Sequence, residues 1–325
     1  MFRISLTACA AAVVAFTVSA QTQAIQQAGP RFMSVRDTQN MTAVGSPTIS
    51  PDGQWVLYTE AVRDWEDAQL RTRTHIWRVK VDGTQRRQLT FGTANTTSPA
   101  WFPDGKRIAF LSSRAAATPA PAAGAVAAAD GGNQVFIMYI DGGEAWPATK
   151  HEGGVSGFTI SPDGKTLLLT AQDPLTADDR RRQRDRDDAE VVDEQFRWSH
   201  LWTHDVDSGK SARLTKGDVV VSDPQWSPDS KTVAYVTRPT TKVDDAAWSD
   251  VWVTDLAGNA RKFDDNRGPD ASPRWSPDGK TLAIVSTDRP GNTQWYSKLY
   301  LFPAAGGTPK VLLKDFGVPP AAGNR

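Results

Sequence analysis

One five-residue turn, Ser276-Pro277-Asp278-Gly279-Lys280, constrains the fold of this chain more than any other feature. Four near-copies of it occur earlier: Ser50-Pro51-Asp52-Gly53-Gln54, Phe102-Pro103-Asp104-Gly105-Lys106, Ser161-Pro162-Asp163-Gly164-Lys165 and Ser227-Pro228-Asp229-Ser230-Lys231. Pro presets φ at the first central turn position, Asp is tolerated at the second, and Gly accepts the left-handed conformation that follows. The copies lie roughly 50 to 65 residues apart, which is typical of propeller blades. The chain is therefore predicted to be an array of hairpin-containing repeats.

Each turn joins two predicted β-strands, which we call strands A and B. Strand A ends in a large apolar residue directly before the turn: Ile49, Trp101, Ile160, Trp226 or Trp275. Strand B carries an apolar run after the turn: Val56-Leu57-Tyr58, Ile108-Ala109-Phe110, Leu167-Leu168-Leu169, Val233-Ala234-Tyr235 or Leu282-Ala283-Ile284. Continuous apolar runs indicate burial on both faces, so the sheets are expected to stack on one another.

Two further strands follow in every repeat. Strand C contains an apolar-aromatic pair: Ile76-Trp77, Val135-Phe136, Leu201-Trp202, Val251-Trp252 or Leu299-Tyr300. A second turn, which contains Gly, leads to a short strand D. Four strands repeated five times in register favour an all-β fold, a β-propeller of WD40-like blades that start near residues 46, 98, 155, 222 and 271.

The chain begins with a predicted secretory signal peptide at residues 1–20. This segment has one basic residue, Arg3, then an apolar run, and small residues before Gln21. A retained anchor is the alternative, but the run is short for crossing a bilayer. We expect the mature protein in the periplasm or outside the cell, with a leader at 21–45, the propeller at 46–315 and a blade junction at 316–325. No strand then remains to close a ring, so an incomplete ring is expected.

Composition excludes several classes of partner. The only cysteine, Cys9, lies in the predicted signal peptide, so no disulfide can form in the mature chain. The chain has 37 Lys and Arg residues against 37 Asp and Glu residues. This balance gives no electrostatic reason to expect nucleic acid as a partner, nor a membrane surface after the leader is removed.

Two B-to-C loops differ strongly in composition. Residues 115–130 are nearly all Ala, Pro and Gly, which predicts an excursion that buries little surface. The loop from Asp173 to His200 contains a charged run in which Asp178 and Arg182, and also Arg184 and Asp188, are four residues apart. That spacing predicts a short, solvated helical insertion.

No catalytic residue is predicted in this chain. The Gly-x-Ser-x-Gly elbow of α/β-hydrolases is absent, and the similar segment 153–157 has the wrong spacing and precedes a strand A. Most Trp residues fall at blade positions and are expected in the core, whereas Trp65, Trp248 and Trp295 fall in B-to-C loops.

No metal ion or other cofactor is predicted either. His200 and His204 are four residues apart, but in a strand this spacing only places both on one face. The five turn Asp residues lie in separate blades, and turn chemistry already explains them.

The blade pattern resembles a known family. Segments such as Ser272-Pro273-Arg274-Trp275-Ser276-Pro277-Asp278-Gly279-Lys280, the signal peptide, and a charged insertion running into residues 191–202 resemble the propeller half of exported prolyl oligopeptidase family serine peptidases. The match is to the acylaminoacyl-peptidase and dipeptidyl-peptidase branches and covers about residues 35–315. In that family a propeller of seven or eight blades caps an α/β-hydrolase domain that carries Ser, Asp and His. This chain departs from the pattern, since it shows five blades and no hydrolase domain.

Two interpretations follow from the resemblance. In the first, the chain is the propeller of a serine peptidase, which gates and orients short peptides for a C-terminal hydrolase domain of the same parent protein. In the second, it is a stand-alone, Tol-like periplasmic propeller that binds protein or peptide partners without catalysis. The missing closing strand favours the first.

The resemblance also implies one pair of binding residues. Exopeptidases of this family hold the free amino terminus of the substrate with acidic propeller residues, and Asp193 and Glu194 lie at the end of the charged insertion. A desolvated ammonium group needs a paired anion, which a carboxylate supplies. The alternative is that both residues belong to the solvated charged run.

Overall fold

The computed structural model describes residues 32–114, 132–186, 196–265, 268–287 and 297–312. It separates into two compact units, one up to Asn40 and one from Met41 onward. The described part of the first unit contains one helix, α1 (Val35–Gln39), whose N-cap Ser34 exchanges hydrogen bonds with Asp37. All strands that the structure describes belong to the second unit.

Five groups of four strands follow one another along the second unit. The strands are β1 (Ala43–Ile49), β2 (Trp55–Arg63), β3 (Thr72–Lys80) and β4 (Arg87–Gln88) in blade one; β5 (Thr96–Trp101), β6 (Arg107–Ser112), β7 (Gln134–Tyr139) and β8 (Trp146–Pro147) in blade two; β9 (Val155–Ile160), β10 (Thr166–Gln172), β11 (Ser199–Asp205) and β12 (Ser211–Arg213) in blade three; β13 (Val220–Trp226), β14 (Thr232–Arg238), β15 (Asp250–Asp255) and β16 (Ala260–Lys262) in blade four; and β17 (Asp270–Trp275), β18 (Thr281–Ser286), β19 (Lys298–Pro303) and β20 (Lys310–Leu312) in blade five. The predicted A-B-C-D plan is therefore confirmed in all five repeats.

Neighbouring strands of each blade pair antiparallel in the order A-B-C-D. Blades one, two and five are separate four-stranded sheets. Blades three and four form one eight-stranded sheet, because a parallel bridge joins Ser199 of β11 to Val220 of β13. A strands of successive blades contact one another, whereas each D strand pairs with its own strand C.

The repeated turn is closed by its own polar side chains. In blade five, Ser276 Oγ donates to Asp278 Oδ1 at 2.6 Å, and Lys280 N donates to the same oxygen at 3.0 Å. These two hydrogen bonds lower the pKa of Asp278 below its ordinary value, and the bond from Ser276 has the larger effect. The turns of blades one, three and four contain the same two bonds. The predicted structural role of these Asp residues is confirmed.

Apolar side chains fill the space between successive blades. Leu57 and Ile76 of blade one pack with Phe110 and Phe136 of blade two, and three equivalent clusters occupy the next three junctions. The turns stack as well, since a Cβ on Gly164 of blade three would lie 3.3 Å from Pro103 of blade two. The expected burial of both faces is confirmed for blade two, where five consecutive residues of β6 are buried.

The pairing of strand A with strand B shifts register in all five blades, and in four of them the shift falls at a left-handed residue, a feature that the sequence patterns did not predict. The bulged residues Ser46, Ser98, Asp223 and Ser272 have φ of 50°, 53°, 45° and 53°, and each precedes a proline. The pairing of strand A with strand B shifts register at each of these points. Bulges of this kind increase the local twist and bend the strand.

The charged insertion contains the predicted helix, α2 (Ala177–Asp185). Asp178 Oδ2 lies 3.2 Å from Arg182 Nε, which confirms the first predicted ion pair. The second predicted pair includes Asp188, which lies outside the described residues, as does the loop at 115–130. Neither helix in the described ranges has the length and apolar character that a membrane span requires.

Candidate functional site

The two residues predicted to hold a substrate amino terminus, Asp193 and Glu194, lie outside the described residues. The structure does describe both ends of the insertion that carries them. Asp173 directly follows β10, Trp198 directly precedes β11, and Asp173 N donates to Trp198 O at 2.9 Å. The insertion therefore leaves and re-enters the sheet at adjacent points. We call the side chains around these points, Asp173, His200, Arg213 and Thr215, the insertion base.

The insertion base is a ring of neighbouring polar side chains. His200 Nε2 lies 3.6 Å from Asp173 Oδ2, and Arg213 Nη1 lies 3.4 Å from Asp173 Oδ1. On the other side of the ring, His200 Nδ1 is 3.2 Å from Thr215 Oγ1, and Arg213 Nε donates to Thr215 O at 2.9 Å. Groups from strands B, C and D are thus tied together beneath the insertion, which gives the insertion a fixed attachment.

Thr215, His200 and Asp173 follow the hydroxyl–imidazole–carboxylate order of a hydrolase triad, but their surroundings exclude that role. The side chain of His200 has no exposed surface, and Thr215 is also buried. The Thr215 hydroxyl already accepts a hydrogen bond from Leu201 N at 2.9 Å. A nucleophile needs an accessible oxygen next to its base. This ring is therefore structural.

His200 is held in its neutral form. Burial lowers the pKa of His200, the nearby Arg213 lowers it further, and the carboxylates of Asp173 and Asp218 only partly oppose this shift. The neutral ring can accept at Nδ1 from the Thr215 hydroxyl, whereas its Nε2 has no hydrogen-bond partner among the described residues. His204 is also buried, and its Nδ1 lies 2.8 Å from Ser211 Oγ. Both histidines thus have polar contacts within the blade.

An aromatic and cationic group lies beside the insertion base. The rings of Phe196 and Trp198 are 5.7 Å apart, and Lys242 Nζ lies 5.5 Å from the centre of the Phe196 ring. Lys242 comes from the B-to-C loop of blade four, so this contact joins the loops of two blades. Aromatic faces next to cations can bind the apolar side chains and carbonyl groups of a peptide.

Three tryptophans were predicted to lie in B-to-C loops rather than in the core, and two of them are exposed there. Trp248 has 56% of its surface exposed, and Trp65 has 46%, with Arg63 5.7 Å from its ring centre. The third, Trp295, lies outside the described residues. Within the described ranges, no group of three or more His, Cys, Asp or Glu side chains could hold a metal ion.

The sequence patterns missed the insertion base. Asp173, His200 and Arg213 belong to three different strands or strand ends, and none stands in a motif that links it to the others. One local signal was available: Thr90, Thr149 and Thr215 each follow an apolar residue at the end of strand D, and each hydroxyl accepts from a strand C amide. That repeat marks the hydroxyl of the ring but not its partners.

No family model matches the sequence. Two curated relatives are similar to it. Dipeptidyl-peptidase 5 of Porphyromonas endodontalis is 28% identical over 241 residues, which are 66% of this chain and 32% of that protein. The uncharacterized peptidase YuxL of Bacillus subtilis is 27% identical over 232 residues, 67% of this chain and 33% of that protein. The chain thus spans about a third of the length of the curated relatives that it matches.

Solved structures share the fold. A puromycin-hydrolyzing peptidase of Mycobacterium tuberculosis matches 87% of this chain and 41% of its own, with a TM-score of 0.59 and 15% identity. A putative TolB of Agrobacterium tumefaciens matches 83% of this chain and 80% of its own, with a TM-score of 0.51 and 18% identity. The chain is thus built of β-propeller blades, and its curated relatives are peptidases. The predicted resemblance to the propeller portion of such peptidases is confirmed.

Proposed function

We propose that this chain is the propeller domain of a secreted or periplasmic serine peptidase. In this role it restricts access and orients short peptides for a C-terminal α/β-hydrolase domain of the same parent protein. The observation that carries the proposal is the similarity to dipeptidyl-peptidase 5, which covers two thirds of this chain but only a third of that peptidase. Most of such a peptidase therefore lies outside the part that resembles this chain.

The chemistry of the chain supports this division of roles. The sequence has no Gly-x-Ser-x-Gly elbow, and the hydroxyl–imidazole–carboxylate order at Thr215, His200 and Asp173 is buried. Catalysis would then depend on another domain, while the blades supply a rigid support and the B-to-C loops supply contacts. Phe196, Trp198 and the exposed Trp248 are suited to contact peptide side chains.

Within this function, Asp193 and Glu194 bind the free amino terminus of the peptide. Support comes from the insertion base, because it fixes both ends of the segment that carries the two carboxylates. An ammonium group that leaves water is stabilised by a charge-assisted hydrogen bond to a carboxylate, worth roughly 1.5–3 kcal/mol.

Kinetics of the parent protein test the role of the two carboxylates. We expect Glu194→Gln, and separately Asp193→Asn, to lower kcat/KM for free-amino dipeptidyl substrates by roughly tenfold or more and to leave N-acylated substrates unaffected. Asp178→Asn is the matched control, because Asp178 belongs to the same insertion but is exposed on α2. Equal losses for both substrate types, or no loss, would show that Asp193 and Glu194 do not bind the substrate amino terminus and belong to the solvated charged run.

The gene tests the domain assignment itself. The reading frame downstream of codon 325 should encode an α/β-hydrolase domain with a nucleophile elbow followed by Asp and His. A stop codon with no such domain would overturn the proposal. That result would favour a stand-alone propeller that binds protein or peptide partners, the architecture for which the putative TolB offers a structural parallel.

A further inference from the structure

A cavity of 580 Å³ lies between blades four and five, at the end of the sheets that carries the repeated turns. Its walls come from the A-to-B turns of both blades and from the C-to-D turn and strand D of blade four. A-to-B turns and B-to-C loops are at opposite ends of strand B, so the cavity is remote from the insertion base. Its volume is in the range of cavities that bind small molecules.

Two carboxylates line the cavity with one oxygen each available. Asp229 and Asp278 each use Oδ1 to accept the two hydrogen bonds of their own turn. Oδ2 of each accepts no hydrogen bond from another residue in the described ranges. These bonds lower the pKa of both carboxyl groups, so both are ionised at neutral pH. A third lining carboxylate, Asp255, is satisfied at both oxygens by its own turn and by Asn259.

A guanidinium group lines the same cavity. Arg261 of β16 is exposed, and its Cζ lies 5.4 Å from the centre of the Phe263 ring. No described carboxylate lies within 4 Å of its nitrogens, so its N–H donors are available to a ligand. The half-buried Trp275 supplies an aromatic surface to the cavity.

We propose that this cavity binds a zwitterion, namely a free amino acid or a short peptide with both termini charged. The ammonium group of the ligand is placed at Oδ2 of Asp229 and Asp278, and its carboxylate at the guanidinium of Arg261. Trp275 packs against the aliphatic part between the two charges. A ligand with only a positive charge would leave Arg261 unpaired, and a ligand with only a negative charge would leave the two carboxylates unpaired. The cavity therefore selects a ligand that carries both charges.

This site does not depend on the proposed peptidase function. It lies at the other end of the blades and uses none of the residues assigned to the substrate amino terminus. A chain that lacks any partner hydrolase domain would bind the same ligand.

Calorimetric titration of the full chain at low ionic strength tests the proposal, with tri-alanine as the probe. We expect saturable binding that weakens as salt is added. N-acetyl-tri-alanine, which lacks the ammonium group, and tri-alanine amide, which lacks the carboxylate, should each bind at least tenfold more weakly. Equal binding of all three peptides, or no saturable binding of tri-alanine, would overturn the proposal.

Matched variants in blade one separate ligand binding from turn stability. Asp278→Asn and Asp52→Asn each replace a turn carboxylate by a neutral amide whose Oδ1 can still accept the turn hydrogen bonds, but only Asp278 lines the cavity. Arg261→Gln and Arg87→Gln change equivalent strand D positions, which pair with Val253 and Arg78 respectively. We expect at least a tenfold loss of tri-alanine affinity for the first member of each pair and none for the second. Equal tri-alanine affinities for the two members of each pair would overturn the proposed site. Because Arg261 is exposed, its variant decides the question even where Asp278→Asn impairs folding.

Discussion

Two blade junctions, between blades one and two and between blades four and five, have the same apolar packing. They differ in their polar groups, which are neutral in the first junction and ionisable in the second. In the first, Thr90 at the end of strand D and Thr96 at the start of the next strand A share a hydrogen bond of 2.7 Å. The Trp101 indole closes the same junction by donating to Thr48 O at 3.3 Å. Neutral hydroxyl, indole and carbonyl groups therefore satisfy one another there.

Carboxyl groups occupy the two Thr positions in the last junction. Asp264 follows Phe263 as Thr90 follows Leu89, and Asp270 pairs with Ser286 as Thr96 pairs with Ser112. Asp270 is completely buried. Burial raises the pKa of Asp270 to about 8; the Ser286 hydroxyl opposes this shift, and the charge of Asp264 adds to it. The Trp275 indole, equivalent to Trp101, has no hydrogen-bond partner among the described residues.

The difference shows that a blade junction consists of two separable parts. The apolar cluster is common to every junction and holds the blades together, because it is made of the same strand B and strand C positions. The polar groups at the ends of the strands vary, and they decide whether a junction responds to pH. The last junction also contains the cavity, which lies at the end of the strands opposite to Asp270, so ligand binding and pH dependence are expected to involve different groups of this junction.

The largest expected effect tests the shared apolar part. Phe110→Ala in the first junction and Leu282→Ala in the last should each lower the free energy of unfolding by roughly 2–5 kcal/mol, because both side chains are fully buried. Urea unfolding at pH 5 and pH 8 should give the same loss at both pH values. The exposed Leu256 is the control, and Leu256→Ala should change stability by less than about 0.5 kcal/mol. A small effect at only one junction would contradict the common packing.

Asp270→Asn tests the pH dependence of the last junction. The unfolded chain loses the Asp270 proton near pH 4, whereas the folded chain keeps it up to about pH 8. Between these values the unfolded state binds fewer protons, so the stability of the natural chain falls as pH rises. The variant lacks this titration, and its stability relative to the natural chain should rise by a few kcal/mol between pH 4 and pH 8. Urea unfolding curves at intervals across this range measure the difference, and parallel profiles would disprove it.

Thr96→Val tests the neutral counterpart in the first junction. The change removes the bond to Thr90 and a second one, from Thr96 Oγ1 to Thr74 O at 3.2 Å, while keeping the side-chain volume. A loss of about 1–2 kcal/mol is expected, because buried hydrogen bonds are broken. The loss should be the same at pH 5 and pH 8. A loss that depends on pH would mean that the two junctions do not differ in the way described.

The smallest expected effect compares the two indoles. Trp101→Phe should cost about 1 kcal/mol more than Trp275→Phe, because only Trp101 donates a hydrogen bond to a described acceptor. Thermal unfolding of the two variants at one pH is sufficient. Equal losses would show that Trp275 Nε1 has an acceptor after all.

The strand plan was predictable because each blade repeats the same local chemistry. The turn at Ser276 to Lys280 and the apolar-aromatic pair of strand C act over a few residues, so they mark strands wherever they occur. The bulges at Ser98 and Asp223 were not predictable in this way, since a left-handed residue before proline is unfavourable locally and is stabilised by the strands around it.

The candidate sites were less predictable, for a physical reason. Asp264 and Asp270 look like surface residues in the sequence, but Asp270 and the carboxyl oxygens of Asp264 are buried where blade five stacks on blade four. The same holds for Asp173, His200 and Arg213, which meet because three strands end side by side. Asp193 and Glu194 stay predictions.

The insertion base also bears on how such a protein can change during evolution. Every A-to-B turn has the same short length, whereas the B-to-C connection grows from residues 64–71 in blade one to 173–198 in blade three. Asp173 and Trp198 remain hydrogen-bonded neighbours across the long insertion, so the added residues do not alter strand register. A lineage can therefore acquire new contacts by lengthening a single loop, and the descendants inherit an unchanged scaffold.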